Sequence, residues 1–316
     1  MVAKIFIDGA AGTTGLEIRE RLSGRADLAL VQLSDAQRKD TAARREALNE
    51  SDLVILCLPD DAARESVSLI ANNNVRVIDA STAHRTAPGW IYGFPELDPS
   101  QRARIAGSLR VSNPGCYPTG FLALVRPLLR AGIIPADFPL TVNAVSGYSG
   151  GGKAMIEEFE AKDSPRYVET VVRTYALTLA HKHVTEMREH AGLAHAPVFA
   201  PSVGGYYRGM IVEVPLQLWA LPGKPDVATL HVAIEKAYRG EKLVEVASLA
   251  ESSALANVDA EMLKLTNGMK LFVFGNDKSQ QARLVAVLDN LGKGAGGAAV
   301  QNLNIMLGLP ETTGLV

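Results

Sequence analysis

The residue best suited to nucleophilic chemistry is Cys116, in the run Asn113-Pro114-Gly115-Cys116-Tyr117-Pro118-Thr119. Pro118 fits the first turn of a helix, where the amide hydrogen it lacks would have no partner. Residues 120–125 continue in an apolar helical pattern. Cys116 is therefore expected at a helix N-terminus, whose partial positive charge favours the thiolate, the form that attacks acyl carbons. Gly115 leaves room for a reacting group beside it. Pro127 is expected to kink or end this helix. The second cysteine, Cys57, lies inside the apolar run Leu53–Leu58 and reads as a small buried hydrophobe.

A catalytic thiol needs a proton acceptor. Of six histidines, only those in His181-Lys182-His183-Val184-Thr185-Glu186 cluster with a carboxylate. On a helix, His183 and Glu186 share a face, so Glu186 can orient the imidazole. The same spacing turns His181 elsewhere. A metal site would need a third ligand and a spacing such as H-x-x-x-H, which is absent, so no metal is expected.

Gly9, Gly12 and Gly15 fall between a strand-like run at 2–8 and a helical run from Leu16. Small residues there let a backbone approach a pyrophosphate, and the helix N-terminus stabilises its charge. Thr13 and Thr14 add hydroxyl donors. After the second strand, Ser34, Arg38 and Lys39 favour the 2′-phosphate of NADP, while Asp35 keeps NAD open. Arg85 follows the strand at 75–79, on the side where ligands bind in such sheets, and can pair with a phosphate or carboxylate. Arg208 is a second anion candidate. Ser146 and Gly147 open a turn rich in backbone donors that ends at Lys153 and lacks the Walker spacing. Asn113, Ser146 and Gly147 join the two arginines as candidate substrate contacts.

The elements that must position these groups fall into two kinds. Up to about residue 115, strands alternate with helices, which argues for an α/β Rossmann-like domain with a parallel sheet. Beyond it, strand-like runs at 140–145, 209–218, 270–275 and 281–288, with helices kept apart, argue for an α+β domain with a mixed or antiparallel sheet. The length, 316 residues, suits two domains. Charge balance is near neutral, 32 Lys+Arg against 34 Asp+Glu. That argues against nucleic acid or an anionic membrane as partner. Two cysteines make no disulfide framework, no apolar run reaches ~18 residues, and no apolar leader opens the chain, so a cytoplasmic enzyme is expected.

Taken in order, the glycine turn at 9–15, Asp79 to Arg85, Tyr92-Gly93-Phe94-Pro95-Glu96-Leu97, the Cys116 run, Ser146 to Gly152, His181 to Glu186, and Asp289 to Gly294 through Val300-Gln301-Asn302 resemble the N-acetyl-gamma-glutamyl-phosphate reductases of the shorter type. The resemblance runs from residue 4 to about 310. It implies NADPH-dependent reduction of N-acetylglutamyl phosphate to the semialdehyde, in arginine biosynthesis, with Cys116 as nucleophile and His183 as acid/base. It also implies Asn290 near the nicotinamide, Arg85 on the phosphate, and a homodimer or homotetramer. The NADP-binding domain would be 1–115, completed by about 290–316, and the catalytic and oligomerisation domain 116–289. Two positions depart from the longer type: Ser34-Asp35 replaces a Ser-Arg pair, and Thr185 replaces a proline. The 2′-phosphate contacts and the choice between His183 and His181 stay open. Aspartate-semialdehyde dehydrogenase shares the chemistry on a smaller substrate. A redox-sensing dinucleotide-binding protein would need no acid/base, and a cysteine hydrolase no glycine turn.

Overall fold

The first apolar alternation of the sequence becomes a buried parallel strand. In the computed structural model, which describes residues 2–315, the chain divides into a unit made of Met1–Gly115 with Ala295–Val316 and a unit made of Cys116–Gly294.

In chain order the first unit carries β1 (Ala3–Asp8), α1 (Thr13–Leu22), β2 (Leu28–Val31), α2 (Thr41–Glu50), β3 (Leu53–Leu56), α3 (Asp60–Ser68), β4 (Arg76–Asp79), β5 (Ile91–Tyr92), α4 (Gln101–Ala106) and β6 (Arg110–Ser112). Its sheet runs β2-β1-β3-β4-β6-β5, parallel throughout. Alternate residues of each strand face opposite ways. Ile5, Ile7, Ile55 and Ile78 therefore pack with Ile18 and Leu22 of α1. Phe6, Val54, Leu56 and Val77 pack with Ala47 and Leu48 of α2 and Ala63 of α3. Both faces are covered, which is why β3 is apolar at every position.

The second unit carries α5 (Cys116–Arg130), β7 (Thr141–Gly147), α6 (Gly152–Glu160), β8 (Val172–Thr174), α7 (His183–Ala191), β9 (Val198–Gly204), β10 (Met210–Gln217), α8 (Val227–Tyr238), β11 (Val244–Val246), α9 (Leu249–Ala254), β12 (Met269–Asn276) and β13 (Gln281–Leu288). Its sheet is mixed, in the order β11-β12-β13-β10-β7-β9-β8. The pairs β7/β9 and β11/β12 are parallel and the others antiparallel. Helix α5 is buried from Tyr117 through Val125, as expected of a helix apolar all round. It packs on β10 and β13 and against α7 and α8.

Of the two outcomes expected at Pro127, a kink or an end, the end does not occur: α5 runs on to Arg130. Proline removes the hydrogen bond to the carbonyl four residues back. Here that carbonyl, Ala123 O, accepts instead from the Tyr238 hydroxyl of α8 at 2.9 Å. Tyr238→Phe is expected to strip that donor from a buried carbonyl and cost about 1 kcal/mol. A thermal melt checks it; an unchanged midpoint would show that the helix needs no replacement donor.

After β13 a wide helical turn (Gly292–Gly296) leads into α10 (Gly297–Met306). Ala299, Val300, Leu303 and Met306 of α10 join the α1 side of the first unit's core. Its buried Asn302 donates to Gly93 O at 2.8 Å and to Asn113 Oδ1 at 3.1 Å. The division between the units falls between Gly294 and Ala295, a few residues beyond the sequence-based boundary near 290.

Candidate active site

In the second unit, Cys116 is the first residue of α5, half-buried, and no acidic residue occupies that helix's first turn. The thiol thus sits at the positive end of a helix, which favours its anionic form. Helix α7 packs against α5 and begins at His183, so His183 and Glu186 share its first turn. Both are buried, at 7% and 2% exposure. The His183 ring centroid lies 5.9 Å from that of Tyr117, the residue after the cysteine.

His181 does not point elsewhere. It precedes α7, so helical spacing does not govern its direction. Its Nδ1 accepts the His183 backbone amide at 3.1 Å, capping a helix whose N-cap side chain makes no such bond. Its ring lies 4.6 Å from that of His183 and 6.2 Å from that of Tyr117. Tyr175 donates to the Tyr117 hydroxyl at 3.0 Å. Burial, and then the neighbouring Tyr175 and Cys116, push the Tyr117 phenol well above its ordinary value. Burial pushes Tyr175 up to about 12. Both phenols stay protonated near the thiol.

The same unit gathers Ser146, Gly147, Arg208 and Asn290. A Cβ on Gly147 would come within 2.5 Å of Tyr207 O and 2.7 Å of Arg208 N. Glycine is what lets the 204–209 loop lie against β7. Ser146 is buried and pairs with Met210 across the β7/β10 ladder. Arg208 Nε donates to the buried Asp289 carboxylate at 2.7 Å. Asn290 accepts from Gly209 N at 2.8 Å and donates to Ser149 Oγ at 2.9 Å. Its amide is thus engaged within this unit.

The first unit holds the remaining candidates. A Cβ on Gly9, at φ +91°, would lie 2.2 Å from Cys57 O, and one on Gly15 would lie 2.4 Å from Gly9 O. Gly12 is the open member; its nearest such contact is Gly9 O at 3.5 Å. It is the N-cap of α1 and offers no capping side chain, so the first helical amides, with Thr13 and Thr14 beside them, are left for another acceptor. A cleft of about 240 Å³ is lined by Asp8, Gly9, Ala10 and Ala11 on one side and Leu30 to Leu33 on the other, with Arg19, Arg38 and Arg44. Ser34 and Lys39 are not in its lining. Ser34 Oγ donates locally to Gln37 Oε1 at 2.9 Å. Gly12, Thr13, Thr14 and Gly15 also lie outside this lining; the backbone turn at Gly9 to Ala11 and the three arginines fit a dinucleotide.

Arg85 and Asn113 come together: Arg85 Nε donates to Asn113 O at 2.9 Å and Nη2 to Ala80 O at 3.2 Å. Asn113 Nδ2 donates to Ala295 O at 2.9 Å. Sequence reasoning passed over the cluster that immediately precedes Arg85. Asp79, fully buried, holds His84 Nδ1 at 2.6 Å and Ser81 Oγ at 2.7 Å, and His84 stacks on Trp90 at 4.1 Å. It also passed over Arg19, Asp289, and the Arg44–Asp8–Ser66 cluster at the end of β1. The spacing D-x-S-x-x-H was the available signal for the first; the others depend on long-range contacts. Among the described residues, no group of three or more His, Cys, Asp or Glu could hold a metal ion, and no helix is long and apolar enough to cross a membrane.

Two family models match, described as the NAD binding domain of semialdehyde dehydrogenase over residues 4–105 and its dimerisation domain over residues 116–290. Among curated relatives, the N-acetyl-gamma-glutamyl-phosphate reductase of Trichormus variabilis is 55% identical over 99% of both chains. That of Rhizobium meliloti is 54% identical, over 97% of this chain and 99% of the relative. Among solved structures, aspartate semialdehyde dehydrogenase II from Vibrio cholerae superposes with a TM-score of 0.71 at 15% identity, covering 97% of this chain and 98% of that one. A probable aspartate-semialdehyde dehydrogenase from Pseudomonas aeruginosa gives 0.73 at 15%, covering 97% and 99%. These two likenesses are of fold.

Proposed function

The chain belongs to the N-acetyl-gamma-glutamyl-phosphate reductases, and from that premise we propose that it reduces N-acetylglutamyl phosphate to N-acetylglutamate 5-semialdehyde and phosphate through a thioester on Cys116, as a step of arginine biosynthesis. The observation that supports this reading is that Cys116 heads α5 while the buried His183 and Glu186 lie in the first turn of α7, a helix packed against α5.

His183 takes the thiol proton, and the Cys116 sulfur attacks the acyl carbon. The C–O bond to phosphate breaks and the anion departs, with Arg85 as its partner. NADPH, when bound, supplies the hydride that reduces the thioester carbon. Backbone amides at the start of α5 stabilise the oxyanion. When it collapses, the C–S bond breaks, the aldehyde leaves, and His183 returns its proton to sulfur. Glu186 keeps the imidazole oriented.

The glycine turn would hold the pyrophosphate. Arg38 and Arg19, both lining the cleft, would favour a 2′-phosphate, because Arg44 is bound to Asp8 and Ser66. Arg38 donates from Nε to Leu33 O at 3.2 Å and makes an ion pair with the exposed Asp35 at 3.1 Å, a pair of little strength. Arg38→Glu is expected to weaken 2′,5′-ADP about tenfold while 5′-AMP changes little. Calorimetry on both nucleotides checks this; equal losses would remove Arg38 from the 2′-phosphate. A homodimer or homotetramer follows from the resemblance, and the matched dimerisation model supports it. The cytoplasm suits a reaction that needs Cys116 as a thiol.

The test is phosphate-dependent reduction of NADP with N-acetylglutamate semialdehyde against aspartate semialdehyde. Turnover of the acetylated aldehyde is the expected result. Turnover of aspartate semialdehyde alone would keep the chemistry and overturn the substrate.

A further inference from the structure

The geometry points to Asp289 as the positioning residue that sets Arg208 for substrate binding and ties it to the turn beside Cys116. The proposal rests on the reading of Arg208 as an anion-binding residue. Asp289 follows β13 directly and its carboxylate is fully buried. Oδ2 accepts from Arg208 Nε at 2.7 Å and from Leu265 N; Oδ1 accepts from Leu291 N at 2.8 Å and Gly292 N at 3.1 Å. A buried carboxylate with four donors is a fixed point, because any rotation leaves donors unpaired. One of those donors belongs to Leu265, held at φ 68°, a conformation that non-glycine residues adopt only when their surroundings impose it.

Arg208 is correspondingly constrained, with its side chain 12% exposed. The next residue in each segment repeats the clamp: Asn290 Oδ1 accepts from Gly209 N at 2.8 Å. Gly209 has φ +117°, and a Cβ there would meet Ala260 O at 2.4 Å. Two consecutive residues after β13 thus hold two consecutive residues before β10, one by side chain and one by backbone. With Nε held by Asp289, the plane of the guanidinium is fixed for an anionic group of the substrate. Asp289 also reaches the nucleophile's surroundings. Its carbonyl accepts from Gly294 N at 2.9 Å, and a Cβ on Gly294 would lie 2.8 Å from that of Cys116. One residue therefore fixes both the anion-binding arginine and the turn packed on the cysteine.

The substrate presents two anions, its carboxylate and its phosphoryl group. The reverse reaction separates them, because inorganic phosphate and the carboxylate-bearing aldehyde are then distinct substrates. KM for each, kcat and thermal midpoint would be measured for Arg208→Lys, Asp289→Asn, Asp289→Glu and the Arg208→Lys/Asp289→Asn double variant. Arg208→Lys is expected to raise one of the two KM values about tenfold. Asp289→Asn should raise that same KM by a similar factor with kcat within about threefold, and the double variant should be no worse than Arg208→Lys alone. Asp289→Glu should fall between wild type and Asp289→Asn, and it carries the test if the asparagine variant does not fold. Loss of kcat with both KM values unchanged, a rise in the other KM, or effects that multiply in the double variant would overturn the proposal. If Arg208→Lys leaves both KM values alone, the anion reading of Arg208 itself is wrong; that outcome is seen in the single variant, apart from any effect of Asp289.

Discussion

Cys116→Ser is expected to lower phosphate-dependent turnover by roughly 10,000-fold or more, with NADPH affinity within about twofold of wild type. The loss is large because no other group can form the thioester. A serine hydroxyl at the head of α5 remains protonated where a thiol there reaches its anion. Cofactor affinity should hold because the glycine turn and its arginines belong to the first unit, whereas Cys116 opens the second. Cys57 cannot substitute. It directly follows β3, partly buried against the first unit's core cluster, and burial, then the charges of Asp79 and Asp8, push its thiol up to about 12. Iodoacetamide at pH 8 should therefore modify Cys116 and spare Cys57, as peptide mapping would show. Labelling at Cys57 with retained activity would contradict both assignments.

His183→Gln is expected to lower kcat by about 100- to 10,000-fold, the usual cost of removing a general acid/base. His181→Gln should cost far less, since its Nδ1 serves as a cap for the His183 amide, and a glutamine oxygen can accept the same bond. The pH profile separates the roles. Loss of the imidazole at His183 should remove the limb of the kcat curve that reports its titration, and His181→Gln should keep that limb. If the His181 variant is the one that loses the limb, the two histidines exchange roles. Their rings are 4.6 Å apart within one aromatic cluster, so that exchange needs little rearrangement.

Local chemistry was legible wherever a single segment carried it. The run Leu53–Leu58 read as a strand buried on both faces, and its first four residues form β3. Pro118 marked the start of a helix, and α5 starts at Cys116. What sequence could not show depends on partners far along the chain. Pro127 sits within a helix because Tyr238 supplies the donor that Ala123 would otherwise lack. Arg208 takes its direction from Asp289, 81 residues away. β9 was missed because Pro201 and Gly204 interrupt the apolar pattern; the strand stands because β7 pairs along its whole length while β8 covers only Ser202–Gly204. His181 was assigned a direction by a helical rule that stops applying one residue before the helix begins. Arg19 lines the cleft together with Leu30 to Leu33, a tertiary fact that periodicity does not encode.

Mixing the enzyme with NADP and N-acetylglutamate semialdehyde in the absence of phosphate, and following NADPH absorbance, tests the Cys116 thioester most directly. One NADPH per chain should form in a burst and then stop, with turnover resuming when phosphate is added. No burst without phosphate, in enzyme that turns over normally with it, would mean that phosphate enters before oxidation and that no thioester on Cys116 precedes it.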